Sequence, residues 1–164
     1  MMNHINFFDP FLAYGYLPNR ARAVEEESHF NWPIYGWLVR RIGLIPINRK
    51  SGIKAMRALK KAGEMIRTKK DMSIAVLPEG TRTRTGKLGP FKKGGFLLAL
   101  EAGLDILPMV QLGSLKVKQK GNWLLKPGKV DLVFEKAIST KEYTRKTVDD
   151  LMDKTRTLYL QYVD

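Results

Sequence analysis

The 164-residue chain contains no cysteine and only two histidines, His4 and His29. The lack of cysteine excludes a disulfide framework, a thiolate nucleophile and a cysteine-ligated zinc site. Two histidines are too few for a multi-histidine metal centre, so we predict no metal site. A chain of this length is expected to fold as one domain, covering residues 1–164, whose core needs neither disulfides nor metal ions.

Long hydrophobic runs are also missing. No run approaches the roughly 20 apolar residues that cross a bilayer as a helix. The residues before Asn3 contain neither the basic segment nor the apolar segment of a secretory signal. We therefore expect the chain to be cytoplasmic or peripheral to the cytoplasmic face of a membrane.

Acidic residues are scarce, since 16 of them face 29 basic residues and leave a formal net charge of +13. The imbalance is concentrated in residues 31–138, which hold 22 basic and 7 acidic residues. Such a field indicates an anionic partner: a phosphate-bearing substrate, an acidic membrane, an acidic protein or nucleic acid. A surface that is charged only for solubility is the alternative.

Hydrophobic periodicity predicts helices that alternate with short apolar strands, which is typical of an α/β domain. The first helix is expected to begin at Asp9 as its N-cap, with Pro10 in its first turn. A hairpin is predicted from residues 115–125 and 129–135. The predicted helices are 9–17, 33–41, 51–69, 93–102 and 144–162, and the other predicted strands are 21–24, 44–48, 72–77 and 105–111.

One candidate catalytic pair is a histidine that precedes an aspartate by five residues, His4 and Asp9. Histidine is the usual general base near neutral pH, and a neighbouring carboxylate can fix its tautomer. The turn before Pro10 could fold Asp9 back onto the ring. A capping aspartate near an incidental histidine would give the same spacing.

A candidate binding loop follows the apolar strand that ends at Leu77, where Pro78 is followed by Glu79, Gly80, Thr81 and Arg82. Ligands of α/β folds bind beyond the carboxyl ends of the strands. A glycine permits a positive φ, and an arginine can grip phosphate with two N–H groups. The alternative is a solvated basic loop.

Four segments in this order resemble the glycerolipid acyltransferases, most nearly the 1-acyl-sn-glycerol-3-phosphate (lysophosphatidic acid) acyltransferases. The resemblance covers residues 3 to about 113 and implies a glycerolipid-acyltransferase-like α/β domain with a mixed sheet flanked by helices. Residues 114–164 would add the hairpin and a terminal helix. The matching segments are Asn3, His4 and Asp9; Gly43 to Arg49; Leu77 to Thr83; and Ile106 to Val110.

The resemblance implies acyl transfer without a covalent enzyme intermediate. His4, oriented by Asp9, would take the proton from the free hydroxyl of a lysophospholipid, in the first place the sn-2 hydroxyl of lysophosphatidate. The oxygen would then attack the thioester of acyl-CoA or acyl-carrier protein, which serves as co-substrate with no further cofactor.

The remaining site residues implied by the resemblance bind the acceptor. Arg49 and Arg82 would hold its phosphate, and Glu79 would organise the substrate-binding loop around Gly80 and Thr81. Arg49 by itself, at the end of a predicted strand, could equally be a surface arginine.

Two departures from the family pattern lead to further expectations. Three acidic residues, Glu25 to Glu27, stand where the family often has a lysine that contacts phosphate. Only Met1 and Met2 precede the histidine segment, so we expect a truncated chain in which the strand supporting His4 is missing and activity is weak.

The rest of the pattern favours an anionic membrane surface as partner, at its cytoplasmic face. The aromatic stretch from Trp32 to Leu38, next to Arg40 and Arg41, could form an interfacial patch, or it could be ordinary helix packing. His29 is interpreted as structural. The alternatives are a lipid-binding remnant without activity and, because of the charge, a basic nucleic-acid-binding module, although no nucleic-acid-binding signature is present.

Overall fold

The computed structural model describes residues 1–6, 8–17, 20–48, 51–68, 72–119, 121 and 124–163. Within these ranges the chain alternates between helices and short strands. The helices are α1 (Asp9–Tyr16), α2 (Tyr35–Ile42), α3 (Gly52–Thr68), α4 (Lys93–Ala102), α5 (Ser114–Val117) and α6 (Val148–Leu160), with a 3₁₀ helix over Glu27–Asn31. The strands are β1 (Arg20–Glu26), β2 (Ile45–Ile47), β3 (Met72–Ala75), β4 (Met109–Leu112) and β5 (Asp131–Phe134).

The strands form two groups, which confirms the predicted α/β class. β2, β1 and β3 make a parallel sheet in that order, with Val24 opposite Ile45 and Ala23 opposite Ala75. β4 and β5 form an antiparallel pair. The carboxyl ends of β1, β2 and β3 therefore meet at one edge, where α/β folds bind ligands.

The first residues of the chain lie between these two groups of strands. The backbone N–H of Met2 donates to the carbonyl oxygen of Val76 at 3.0 Å, and Met109 N–H donates to the carbonyl oxygen of Met1 at 2.7 Å. Met2 also pairs in parallel with Met109. Met1 and Met2 thus support the His4 segment through this bridge and these hydrogen bonds rather than through a strand.

The main core lies between α4, α6 and the β4–β5 pair. One face of α6 is buried, with a buried side chain at every third or fourth residue: Val148, Leu151, Thr155 and Tyr159. The ring of Phe91 stacks on Phe96 and meets Tyr159 edge-on, with centroids 5.9 and 5.5 Å apart. This core holds β4 beside the segment that carries His4.

Several predicted element ends are confirmed. α2 and α4 end at Gly43 and Gly103, whose φ angles of 79° and 62° are left-handed, as expected of a glycine that follows a helix. β2, which contains Pro46, is an edge strand, where proline is tolerated.

The predicted hairpin is wrong. Residues 114–117 form α5, and β5 pairs with β4, from Met109 opposite Phe134 to Leu112 opposite Asp131. Gly113, with a φ of 83°, turns the chain after β4, so the next residues leave the sheet. A short apolar run cannot by itself distinguish a strand from a helical turn.

The described helices include none that is long and apolar enough to cross a membrane.

Candidate active site

The predicted catalytic pair is formed in the structure. Nδ1 of His4 lies 2.6 Å from Oδ2 of Asp9, whose side chain is fully buried. The same carboxylate accepts the backbone N–H groups of Ile5 at 2.7 Å and Asn6 at 3.1 Å. Asp9 is therefore not the N-cap of α1; Phe8 occupies that position, and the carboxylate turns back to its own approach loop.

This arrangement fixes the chemistry of the imidazole. A carboxylate that accepts two backbone N–H groups acts as an acceptor toward the ring too, so Nδ1 of His4 carries the hydrogen. The lone pair of the neutral ring is then on Nε2, which no hydrogen bond from the described residues occupies. The ring lines a large cavity, so its accepting nitrogen is available to a ligand there.

Two buried asparagines, which we did not assign to the site from the sequence, anchor the loop of His4 and Asp9 to β4 and α5. Asn3 exchanges hydrogen bonds with Gln111 of β4, donating to its carbonyl oxygen at 3.1 Å and accepting its backbone N–H at 2.8 Å. Asn6 donates to the carbonyl oxygen of Ser114 at 3.0 Å and accepts the N–H of Phe8 at 2.8 Å. Polar residues inside a short apolar segment were the available signal.

Glu79 connects the catalytic loop to the segment after β3. Its Oε1 accepts the backbone N–H of His4 at 2.7 Å, and its Oε2 accepts that of Gly89 at 2.7 Å. The carbonyl oxygen of His4 in turn accepts the N–H of Thr83 at 2.9 Å. Glu79 is buried and is not among the residues that line the cavity; its two hydrogen bonds organise the loop, the role the resemblance implies for it.

The rest of the predicted loop reaches the cavity. Gly80 has a φ of 65°, and its N–H donates to the carbonyl oxygen of Leu77 at 3.0 Å. Thr81 and the half-buried Arg82 follow this tight turn and line the same cavity as His4. Arg49, the second predicted phosphate-binding residue, lies outside the described residues.

The cavity has a volume of about 900 Å³ and is mostly apolar. Its lining includes β3 and the two residues after it, Met72 to Leu77, and the polar side chains of His4, Thr81 and Arg82. A large apolar space with a few convergent polar groups is the usual form of a small-molecule site. Apolar lining residues come from three helices: Ala13 and Leu17 of the α1 region, Leu38 and Val39 of α2, and Leu98 and Ala99 of α4.

The chain was compared with known proteins. The sequence profile of the family described as Acyltransferase matches residues 1–111. A 1-acyl-sn-glycerol-3-phosphate acyltransferase of Limnanthes douglasii is 31% identical over 159 residues, which cover 97% of this chain and 56% of that protein. The human 1-acyl-sn-glycerol-3-phosphate acyltransferase beta is 30% identical over 152 residues, covering 92% of this chain and 54% of its own length.

A solved structure shares the fold. The crystal structure of the 1-acyl-sn-glycerophosphate (LPA) acyltransferase PlsC from Thermotoga maritima superimposes with a TM-score of 0.72 at 28% identity. The match covers 96% of this chain and 64% of that one. The chain spans about half the length of the curated relatives it matches.

Proposed function

The chain belongs to the acyltransferase family, and we propose that it transfers an acyl group from a thioester donor to the free hydroxyl of lysophosphatidate, in phospholipid biosynthesis. The observation that carries the proposal is the His4–Asp9 pair in the wall of a large apolar cavity. The names of the relatives support the choice of acceptor.

The proposed reaction needs one base and no covalent enzyme intermediate. Nε2 of His4 accepts the proton of the acceptor hydroxyl while the oxygen attacks the carbonyl carbon of the thioester. The new C–O bond forms, the C–S bond breaks, and the leaving thiolate takes the proton from His4. Asp9 keeps the ring in the accepting tautomer and stabilises the transient imidazolium, the role that a carboxylate has in a catalytic triad.

The surrounding groups position the two substrates. Arg82 lines the cavity and would hold the phosphate of the acceptor, together with Arg49. The apolar walls accept an acyl chain, which leaves the thioester near His4. Acyl-CoA and acyl-carrier protein both supply such a thioester. Ordering two reactants can contribute about 7–11 kcal/mol to lowering the barrier.

The decisive experiment is acyl transfer by the purified chain in mixed micelles, with lysophosphatidate as acceptor and acyl-CoA or acyl-carrier protein as donor in separate arms. His4→Ala should lower kcat by about 10²–10⁴-fold, the usual contribution of a general base. Arg84→Ala is the matched control, because Arg84 is exposed in the neighbouring loop and does not line the cavity.

Turnover that is unchanged in His4→Ala would contradict the assignment of the base. Binding of lysophosphatidate without turnover by the wild-type chain would favour the alternative of an inactive lipid-binding protein. Comparison of the two donor arms identifies the donor.

We also propose that the chain works at the anionic, cytoplasmic face of a membrane, as a peripheral protein. Around the start of α2, Trp32, Ile34 and Trp37 expose 55%, 85% and 64% of their surface. The guanidinium of Arg41 lies 6.0 Å from the ring of Trp37. Exposed aromatic and aliphatic side chains next to arginine suit the interface between headgroups and acyl chains.

A further inference from the structure

A second histidine–carboxylate pair lies in the wall of the cavity that contains His4. Nδ1 of His29, in the 3₁₀ helix, is 2.8 Å from Oε1 of Glu25 at the end of β1. The hydroxyl of Tyr35 donates to Oε2 of the same carboxylate at 3.0 Å. Trp32 packs on the imidazole with ring centroids 4.3 Å apart. All four side chains line the cavity, so this group is part of the site rather than of the core.

The orientation of the His29 ring leaves one nitrogen available. The ionised carboxylate of Glu25 only accepts hydrogen bonds, so Nδ1 carries the hydrogen. Burial and the neighbouring Glu25 carboxylate raise the pKa of Tyr35 to about 12, so its hydroxyl stays a donor at physiological pH. Within the described part of the chain, nothing hydrogen-bonds to Nε2 of His29. Glu25 thus fixes the His29 ring at Nδ1, and Trp32 packs on one of its faces. Nε2 is left available to a ligand.

His29 lies in the 3₁₀ helix that follows β1, and Arg82 lies in the loop that follows β3. β1 lies between β2 and β3, and Ala23 is level with Ala75. Continuing this parallel register by two residues makes Glu25 level with Leu77, just before the Gly80–Arg82 turn. Neighbouring strands lie about 4.8 Å apart. His29 and Arg82 therefore follow adjacent strands at the same edge of the sheet.

His29 is unsuited to act as a second base on the hydroxyl that His4 would deprotonate. The extended segment before His4 flanks β3 on one side, and β1 flanks it on the other. The two backbones are thus separated by two strand spacings, on the order of 10 Å. In a glycerol phosphate the phosphate is a few bonds from the free hydroxyl.

We propose that Nε2 of His29 binds the phosphate of the lysophospholipid acceptor, next to Arg82. The inference rests on the proposed function for the identity of the acceptor. A protonated imidazole donates its Nε2–H to a phosphate oxygen, and its positive charge attracts the negative charge of the phosphate. Glu25 is the positioning residue, because it fixes the ring through Nδ1.

Among the described residues, Glu25 faces the His29 ring from β1 and Tyr35 faces it from α2. Glu27 of the same 3₁₀ helix accepts a hydrogen bond from the side chain of Asn48 at 2.9 Å, at the end of β2. Phosphate favours the protonated ring, so binding of lysophosphatidate should place a hydrogen on Nε2 of His29.

Nuclear magnetic resonance tests this directly, because the chain has only two histidines. Labelled histidine gives two ring systems, and His4→Gln leaves only that of His29. Addition of lysophosphatidate in micelles should shift the ¹⁵Nε2 signal of His29 toward that of a protonated ring nitrogen. Coenzyme A without an acyl group and inorganic phosphate are the comparison arms. A response to coenzyme A but not to lysophosphatidate would overturn the assignment to the acceptor.

Kinetics supply the second test. His29→Gln keeps a polar side chain but removes the charge, and it should raise KM for lysophosphatidate about tenfold or more, as expected for one charge-assisted hydrogen bond. Its kcat and its KM for the acyl donor should stay within about twofold. His29→Lys should restore most of the affinity. Ser28→Ala, at the exposed neighbouring position, is the matched control.

A phosphate-free acceptor separates binding of the phosphate from a general effect on the fold. With 1-monoacylglycerol, His29→Gln should behave like the wild-type chain. Equal losses with both acceptors, or unchanged KM for lysophosphatidate, would overturn the inference while the proposed function stands. If the wild-type chain catalyses no transfer, the proposed function fails, and the resonance titration still decides whether His29 binds the phosphate.

Glu25→Ala tests the positioning role. Oε1 of Glu25 accepts both Nδ1–H of His29 and the backbone N–H of Glu26, so a glutamine oxygen would take the same place, whereas alanine removes the acceptor. Without it the neutral ring is no longer held with its hydrogen on Nδ1, and the ¹⁵N shifts of the ring report the change of tautomer directly. An unchanged tautomer in Glu25→Ala would contradict the positioning role.

Discussion

At the scale of single residues, the two histidine–carboxylate pairs differ in what else their carboxylates bind. Asp9 accepts backbone N–H groups from the loop that carries His4, so the peptide and the ring share one acceptor. Glu25 accepts instead a side-chain hydroxyl, that of Tyr35, and the N–H of Glu26. The geometry of the His4–Asp9 pair therefore depends on a few neighbouring residues, whereas Glu25 links His29 to both β1 and α2.

Asp9→Asn should therefore lower kcat by about 10²–10⁴-fold, with little change in the KM values. Oδ2 accepts both the N–H of Ile5 and Nδ1 of His4, so an asparagine oxygen at that place keeps the tautomer of the ring but removes the negative charge that stabilises the transient imidazolium. If the NH₂ group takes that place instead, it faces Nδ1, the hydrogen moves to Nε2, and the ring cannot accept the proton of the acceptor. Steady-state kinetics measure the loss, and ¹⁵N shifts of His4 report the tautomer. Asp153→Asn, at an exposed position of α6, is the control; wild-type kcat in Asp9→Asn would contradict this role.

Glu79→Gln should destabilise the fold as well as the catalytic loop. Both carboxylate oxygens accept a backbone N–H, and a glutamine offers only one oxygen. One buried donor then faces the NH₂ group, at a cost of about 1–3 kcal/mol. Urea unfolding should show this loss, whereas the exposed Glu142→Gln should leave the free energy of unfolding unchanged. A Glu79→Gln variant as stable as wild type would be inconsistent with the two hydrogen bonds.

What could be predicted about the site follows from distance along the chain. The pairing of His4 with Asp9 joins residues five apart, so spacing alone indicated it. The bond from Asn6 to Ser114 spans 108 residues, and the bond from His4 to Glu79 spans 75. Nothing local distinguishes such partners, because the fold alone brings them together.

At the scale of elements, the distinction between local and long-range contacts also separates the correct helix bounds from the wrong hairpin. The bounds of α4 were predicted correctly because local signals mark them, above all Gly103 after its last turn. The hairpin was wrong because strand pairing depends on what lies beside β4, which the pattern of 115–135 does not contain. Helix ends are local properties, and strand partners belong to the whole sheet.

The start of α2 contains a strained turn that supports a stability prediction. Ile34 has a φ of 62° and a ψ of −60°, and the N–H of Tyr35 donates to the carbonyl oxygen of Pro33 at 2.6 Å. This is a γ-turn with positive φ, which is rare and strained, and a β-branched residue is especially disfavoured there. The turn directs the Ile34 side chain outward.

Ile34→Gly should therefore raise the free energy of unfolding by about 1 kcal/mol, because glycine adopts positive φ without a steric penalty. Ile34→Ala is the matched control, since it keeps a Cβ and hence most of the strain. Urea unfolding compares the three proteins. If glycine lowers stability, or if alanine stabilises as much as glycine, the strain is not at this turn.

At the scale of the whole molecule, charge and apolar exposure have separable effects on association with a membrane. The net charge of +13 acts over a Debye length, which falls from about 10 Å at 0.1 M salt to about 3 Å at 1 M. The apolar contribution of Trp37 and Ile34 needs contact and is not screened. Binding to anionic vesicles should therefore fall steeply with salt to a plateau set by the exposed apolar residues.

Sedimentation with vesicles of phosphatidylglycerol and phosphatidylcholine measures both contributions. Trp37→Ala should lower binding at every salt concentration and leave the slope unchanged, whereas pure phosphatidylcholine should abolish the slope. Leu125→Ala, at a comparably exposed position, controls for the loss of any apolar side chain. A nonspecific DNA duplex is the anionic control without lipid. If the chain binds the duplex more tightly than anionic vesicles, or if Trp37→Ala binds vesicles like wild type, the membrane is not the partner that its charge and exposed aromatic residues serve.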